Sequence, residues 1–104
     1  MRVTPEGRLK AEVSDFLKAS GLFYRRMQSG IVRVKGGFLH LCPEGTADFL
    51  VCCPDPRWIE LKAPGQKTKK EREQKQQEFA EMVLSMGHKH IKASTLDEVI
   101  AFVK

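Results

Sequence analysis

Hydrophobic residues along this chain repeat with two periods, and the places where the period changes mark its elements. Leu9, Val13, Phe16 and Leu17 recur at helical spacing between Thr4-Pro5, an N-cap followed by proline at the first helical position, and Gly21, a helix stop. An amphipathic first helix is expected there. From Leu22 to Leu41 the pattern shortens: Leu22-Phe23-Tyr24, Ile31 to Val34 and Phe38 to Leu41 read as short hairpin strands, separated by Gln28-Ser29-Gly30 and Gly36-Gly37. Ala47 to Cys53 is denser in apolar residues, as in a buried central strand. After a turn at Pro54-Asp55-Pro56, Arg57 to Ala63 returns as its antiparallel neighbour. Pro64-Gly65 ends that strand, Thr68 is placed to cap a long helix with Phe79, Val83 and Met86 on one face, and Gly87 stops it. Lys89 to Ala93 is a last strand, and Leu96, Val99, Ile100 and Val103 make the apolar face of a closing helix capped by Ser94 or Thr95. The order is α-β-β-β-β-β-α-β-α.

A chain of 104 residues fits one domain and one active site. No run approaches the roughly 18 to 20 apolar residues of a membrane span, and Met1 to Lys10 has no apolar stretch behind its positive charges, so a cytoplasmic protein is expected. Cys42, Cys52 and Cys53 are odd in number, two of them adjacent in an apolar run; they read as buried thiols, and no C-x-x-C spacing suggests zinc. The net charge of +5 and pI near 9.3 favour anionic partners. The distribution sharpens this, because Lys67, Lys69, Lys70, Arg72 and Lys75 crowd nine residues diluted only by Glu71 and Glu73.

Alternation along a strand puts Glu60 and Lys62 on one face and Ile59 and Leu61 on the other. In the preceding strand Asp48 has the parity of Leu50 and Cys52, and a three-residue turn at Pro54-Asp55-Pro56 sets it across from Lys62 and diagonal to Glu60. A slip of two residues would set Asp48 opposite Glu60; a slip of one would separate the groups. Two carboxylates about 5 Å apart repel unless a cation lies between them. Carboxylate oxygens and water suit Mg²⁺ or Mn²⁺, which can hold a phosphodiester oxygen and acidify a bound water. Lys62 would then stabilise the transition state or orient the water. The plainer reading, a surface Glu-Lys pair, is weakened by the apolar neighbours on both strands, which suggest a covered position.

Two further polar residues continue apolar stripes by one turn. Gln76 precedes Phe79 and Val83 by three and seven residues, and is either a donor to the scissile phosphate or attacking water, or a partly buried helix-start glutamine. Glu6 stands in the same relation to Leu9 and Val13, and is either a further carboxylate near the metal or a first-turn acid favoured by the helix dipole. The Lys67 to Lys75 run covers a helix start where the dipole disfavours cations; phosphate contact and simple solubility both account for it, and Arg25, Arg26, Arg33 and Lys35 can extend the same surface. Gly45-Thr46-Ala47-Asp48 reads as a turn that delivers Asp48 at the mouth of its strand, Gly45 being otherwise an ordinary loop glycine, and His88-x-His90 as two surface imidazoles.

Taken together, Gly45-x-x-Asp48, eleven intervening residues and Glu60-Leu61-Lys62, flanked by Glu6, Arg25 to Gly30, Gln76-x-x-Phe79 and Gly87, resemble the PD-(D/E)xK nuclease superfamily, and within it the stand-alone VRR-NUC domains of viral and bacterial origin. The resemblance spans nearly the whole chain. It departs at Ala47, where the superfamily has a proline that shapes the turn. What it implies is a restriction-endonuclease-like α/β core, a central mixed sheet flanked by helices. Asp48, Glu60 and the Leu61 backbone carbonyl would be metal ligands, Lys62 catalytic, and Glu6 and Gln76 assisting. It further implies a Mg²⁺- or Mn²⁺-dependent endonuclease for branched or structured DNA and a homodimer like Holliday-junction resolvases; the charge distribution makes Lys67, Lys69, Lys70, Arg72, Lys75, Arg25, Arg26 and Arg33 the candidate DNA contacts. A phage protein acting in the host cytoplasm fits the same resemblance. The alternatives are a DNA-binding protein that kept the fold without the chemistry, and a small interaction module.

Overall fold

The computed structural model describes residues 4–104; the leader reading of Met1 to Lys10 falls partly outside them. Thr4 caps α1 (Pro5–Ser20), its hydroxyl accepting the Gly7 N–H at 3.0 Å, and the helix ends where Gly21 takes φ 75°. The described chain continues as β1 (Phe23–Arg26), β2 (Ile31–Val34), β3 (Gly37–His40), β4 (Phe49–Cys52), β5 (Pro56–Leu61), α2 (Lys70–Ser85), β6 (Lys89–Ala93) and α3 (Leu96–Val103). The element order is the one the hydrophobic pattern predicts.

Four strands form a mixed sheet in the order β1-β4-β5-β6, antiparallel except for the parallel β5–β6 pair that α2 connects. Alternation then divides the sheet into two unlike faces. Phe49 and Val51 of β4, with Ile59 and Leu61 of β5, pack against Leu9, Val13 and Leu17 of α1 and Val99 and Val103 of α3, and this cluster is the main core. Burying each of these larger side chains is worth about 1.5–3 kcal/mol. The last turn of α3 is tied to the same strand by Arg57, whose guanidinium holds Asp55 and donates to the Phe102 carbonyl at 2.6 Å.

The opposite face lies under α2 and is mixed. Trp58 meets Phe79 edge to face at 5.0 Å and donates its indole N–H to His88 Nδ1 at 3.1 Å; His90 packs by Phe79. His88 and His90 are therefore wall residues between β6 and α2, not the surface pair expected, and burial pushes the His90 imidazole below its usual range. The three cysteines are free, and half-buried where full burial was expected.

Three local expectations are corrected. Of the three short strands between Leu22 and Leu41 only β2 and β3 pair with each other; β1 joins the main sheet beside β4. Helix α2 starts one residue beyond Lys69, which takes the cap position without a side-chain cap, so Thr68 does not cap it. The β4–β5 turn is Cys53-Pro54-Asp55, closed by the Cys53 N–H donating to the Asp55 carbonyl at 3.0 Å, while Pro56 already pairs with Cys52. A proline is tolerated as the first residue of a strand. That shift by two residues keeps parity but changes partners: the register Phe49↔Ile59 carried one step further sets Asp48 opposite Glu60, not Lys62.

Candidate active site

Where β4 begins and β5 ends, the sheet opens into a cavity of about 410 Å³ roofed by the approach to α2 and its first turns. Asp48, Glu60, Leu61, Lys62, Gln76 and Glu6 all line it. These residues come from four separate parts of the chain.

Asp48 stands where β4 starts, and its side chain finishes the ladder that the backbone leaves incomplete. Its Oδ2 accepts the Leu61 N–H at 2.7 Å, while its own carbonyl accepts from Met27 across to β1 at 2.7 Å. The other oxygen, Oδ1, faces the Lys10 ammonium at 3.4 Å. Desolvation nevertheless raises the Asp48 carboxyl above its ordinary range; the Leu61 N–H and Lys10 oppose this, and Glu6 adds to it.

Glu60 is the more unusual group. It is 6% exposed; Oε1 accepts from Gln76 Nε2 at 2.8 Å, and Oε2 is buried with no partner at all. Burial first, and the adjoining Asp48 carboxylate second, push its carboxyl up to about 8, although Lys92, Lys10 and Arg72 pull the other way. An unsatisfied buried carboxylate oxygen costs free energy that a fold retains only for a reason.

The remaining groups fall around this pair. The Lys62 ammonium bonds Glu73 Oε1 at 3.1 Å, and its backbone N–H continues the β5–β6 pairing to Ala93 at 2.9 Å. Gln76 points at the sheet, as its place on the helix stripe predicts, and its partner is the glutamate. Glu6 uses both oxygens on protein groups, Oε1 on Lys10 at 3.2 Å and Oε2 on Gln66 at 3.0 Å. It therefore anchors Lys10 and the loop after β5.

Lys10 and Gln66 were missed in the sequence reading. Lys10 follows Glu6 by one helical turn and bridges it to Asp48, which sets its ammonium 3.4 Å from one acid of the pair. Gln66 also accepts the Ala63 N–H at 2.9 Å. Gly45 sits in the turn before Asp48 and is more constrained than a turn requires: it is buried at φ 97°, and a Cβ there would stand 2.6 Å from the Lys75 carbonyl oxygen. Only glycine lets the loop before Asp48 close on the backbone of α2.

Of the basic residues, Lys67, Lys69 and Arg72 line the cavity, and Lys70 and Lys75 are exposed on α2, Lys75 paired with Glu44 at 3.3 Å. Arg25 and Arg26 lie on β1, with the Arg25 guanidinium 4.3 Å over the Phe23 ring, and Arg33 lies in the hairpin; none of these three lines the cavity.

Among the described residues no three or more His, Cys, Asp and Glu side chains gather around a common metal position. Two carboxylates, one of them with a free oxygen, do fit a hard divalent ion that keeps several waters, the habit of Mg²⁺; they do not fit a closed zinc site. No family model, curated protein or solved structure matches the chain.

Proposed function

We propose that the chain is a Mg²⁺- or Mn²⁺-dependent DNA endonuclease with a restriction-endonuclease-like core, acting as a homodimer on branched or structured DNA in the cytoplasm. The observation that carries the reading is the unpartnered, buried Glu60 Oε2 beside Asp48, in a cavity that Lys62, Lys67, Lys69 and Arg72 line together with Glu6, Glu44 and Glu71. A carboxylate kept dry and short of a partner is poised for a cation that the protein itself does not supply. Asp48 and Glu60, with the Leu61 carbonyl, would hold the ion.

Bound there, a divalent ion supplies Lewis acidity toward a phosphodiester oxygen and a water made acidic enough to attack. The protein groups do the rest. Gln76 fixes the Glu60 carboxylate by its 2.8 Å hydrogen bond to Oε1, leaving Oε2 without a protein partner. Lys62, released from Glu73, offsets the charge that develops on the phosphate. Lys67, Lys69 and Arg72 meet the backbone of the nucleic acid. Among the described residues no helix is long and apolar enough to cross a membrane.

One observation favours a second reading, a DNA-binding protein without the chemistry: Lys62 and Asp48 already have partners in Glu73 and Lys10. It predicts salt-sensitive binding indifferent to chelator. Incubating the protein with four-way, flapped and linear duplex DNA, with Mg²⁺, Mn²⁺ or EDTA, separates the two. The nuclease reading expects cleavage only with metal, reduced at least about a thousandfold in Asp48→Ala and Lys62→Ala, the equivalent of several kcal/mol of transition-state stabilisation. Absence of metal-dependent cleavage on every substrate, or cleavage that survives both substitutions, rules it out.

A further inference from the structure

The hairpin β2–β3 is the part of the molecule that the core does not explain. Among the described residues its strands pair only with each other, and two four-residue strands of this kind are marginal alone. Its large side chains stand in solvent, Ile31 63% exposed and Phe38 67%. The register sets Ile31 opposite His40 and Arg33 opposite Phe38, so these four share one face. An exposed strand face of this composition calls for a partner.

Charge selects which one. Between Asp15 and Glu44 the sequence has no acidic residue, while Lys18, Arg25, Arg26, Arg33 and Lys35 all fall in that interval. A second copy docked on this face about a two-fold axis would bring Arg33 and Lys35 toward their own counterparts with no acid to receive them. A polyanion with flat apolar faces answers both features: phosphates for Arg33 and Lys35, base faces for Ile31 and Phe38.

Position supports the same partner. The foot of the hairpin is closed by the Gly30 N–H donating to Cys42 at 3.0 Å and the Leu41 N–H donating to Gly30 at 2.9 Å. Ser29 at one foot lines the catalytic cavity, as do Glu44, Gly45 and Thr46 beyond the other. Four-residue strands reach about 13 Å from that rim, close to the roughly 12 Å width of the B-DNA major groove, which admits a two-stranded ribbon.

We infer that β2–β3 is a DNA-engaging arm: Phe38 and Ile31 lie against bases left unstacked at a branch or strand end, and Arg33 and Lys35 take the flanking phosphates. The arm selects structured over plain duplex DNA for the neighbouring site. This rests on DNA being the partner of that site.

The test uses the full chain in EDTA, with fluorescence anisotropy on four-way and linear duplex DNA and 2-aminopurine placed beside the branch. Ile31→Thr/Phe38→Thr keeps strand-compatible residues at two exposed positions, and an unchanged melting temperature verifies the fold. The wild type is expected to prefer the branched DNA and to change the 2-aminopurine emission. The double variant should lose about tenfold on branched DNA only, together with the emission change. Arg33→Gln/Lys35→Gln should weaken both substrates and flatten the salt dependence. If the wild type binds DNA but the apolar variant retains branched affinity and emission change, the arm is overturned and the nuclease reading stands. Loss of self-association in sedimentation, with that DNA binding intact, overturns it in favour of a second copy. A wild type that binds no DNA overturns both.

Discussion

One step along β5 separates two kinds of protein. Ile59 is wholly buried in an apolar cluster among α1, α3 and the neighbouring strands, whereas Glu60 faces the layer under α2, where Asp48, Gln76 and Lys62 line the same cavity. The first face spends its side chains on apolar burial. The second keeps a buried oxygen without a partner, and its covering helix begins with no side-chain cap. Along β5, strand alternation thus divides the apolar core from the polar cluster, and substitutions on adjacent residues should have opposite signatures.

The largest stability effect should come from the apolar side. Ile59→Ala is expected to lower unfolding free energy by about 2–5 kcal/mol, while cleavage assayed well below the melting temperature persists. Glu60→Gln should abolish cleavage and leave chemical denaturation unchanged or shifted toward greater stability. Equal destabilisation by the two would show that the division between faces is wrong.

The same contrast has a pH signature. In the fold the Glu60 carboxyl keeps its proton up to about 8, against an ordinary 4.5, so between those values the folded chain binds the extra proton. Stability therefore falls as pH rises from about 4.5 to 8, by at most about 1.4 kcal/mol per pH unit. The raised carboxyl of Asp48 acts in the same direction. Melting temperatures from pH 5 to 8 without metal should show the decline, Glu60→Gln should flatten it, and Mg²⁺ or Mn²⁺ should raise the melting temperature more at pH 8 than at pH 5. A wild-type profile as flat as that of Glu60→Gln would contradict the geometry.

Much of this was legible in the sequence where the cause is local. Helix α1 is announced by Thr4-Pro5 and Gly21, and the parity of Asp48, Glu60 and Lys62 follows from alternation, which survives any even shift. The register is not local: whether Pro56 belongs to the turn or the strand depends on how the loop at Asp55 folds back on Cys53 and Arg57. Gly45 reads as an ordinary loop glycine until the backbone of α2 is brought against it. Gly45→Ala should accordingly cost about 1–3 kcal/mol in strain, measurable as a lower denaturant midpoint, and should weaken cleavage by displacing Asp48 from the Leu61 N–H that holds it. Wild-type stability in that variant would mean the loop has room to relax.

Lys10 provides the smallest effect and the finest test of the polar face. Its spacing from Glu6 is visible in the sequence, but its reach to Asp48 depends on how α1 crosses the sheet. With its ammonium 3.2 Å from Glu6 and 3.4 Å from Asp48, it already occupies part of the field that a divalent ion would fill. Two cations drawn to one carboxylate repel, by about 1–2 kcal/mol across 5 Å of well-screened space. Lys10→Met keeps the length and apolar stem while removing the charge. Without metal the variant should melt slightly lower at pH 8, because Asp48 and Glu6 lose their shared counter-charge. With metal the order should reverse, since the ion no longer competes with the lysine, and the concentration of Mn²⁺ giving half the maximal rise in melting temperature should fall by up to about tenfold. An unaltered Mn²⁺ midpoint would mean that Lys10 swings clear of the site at no cost, and that the acidic pair alone defines it.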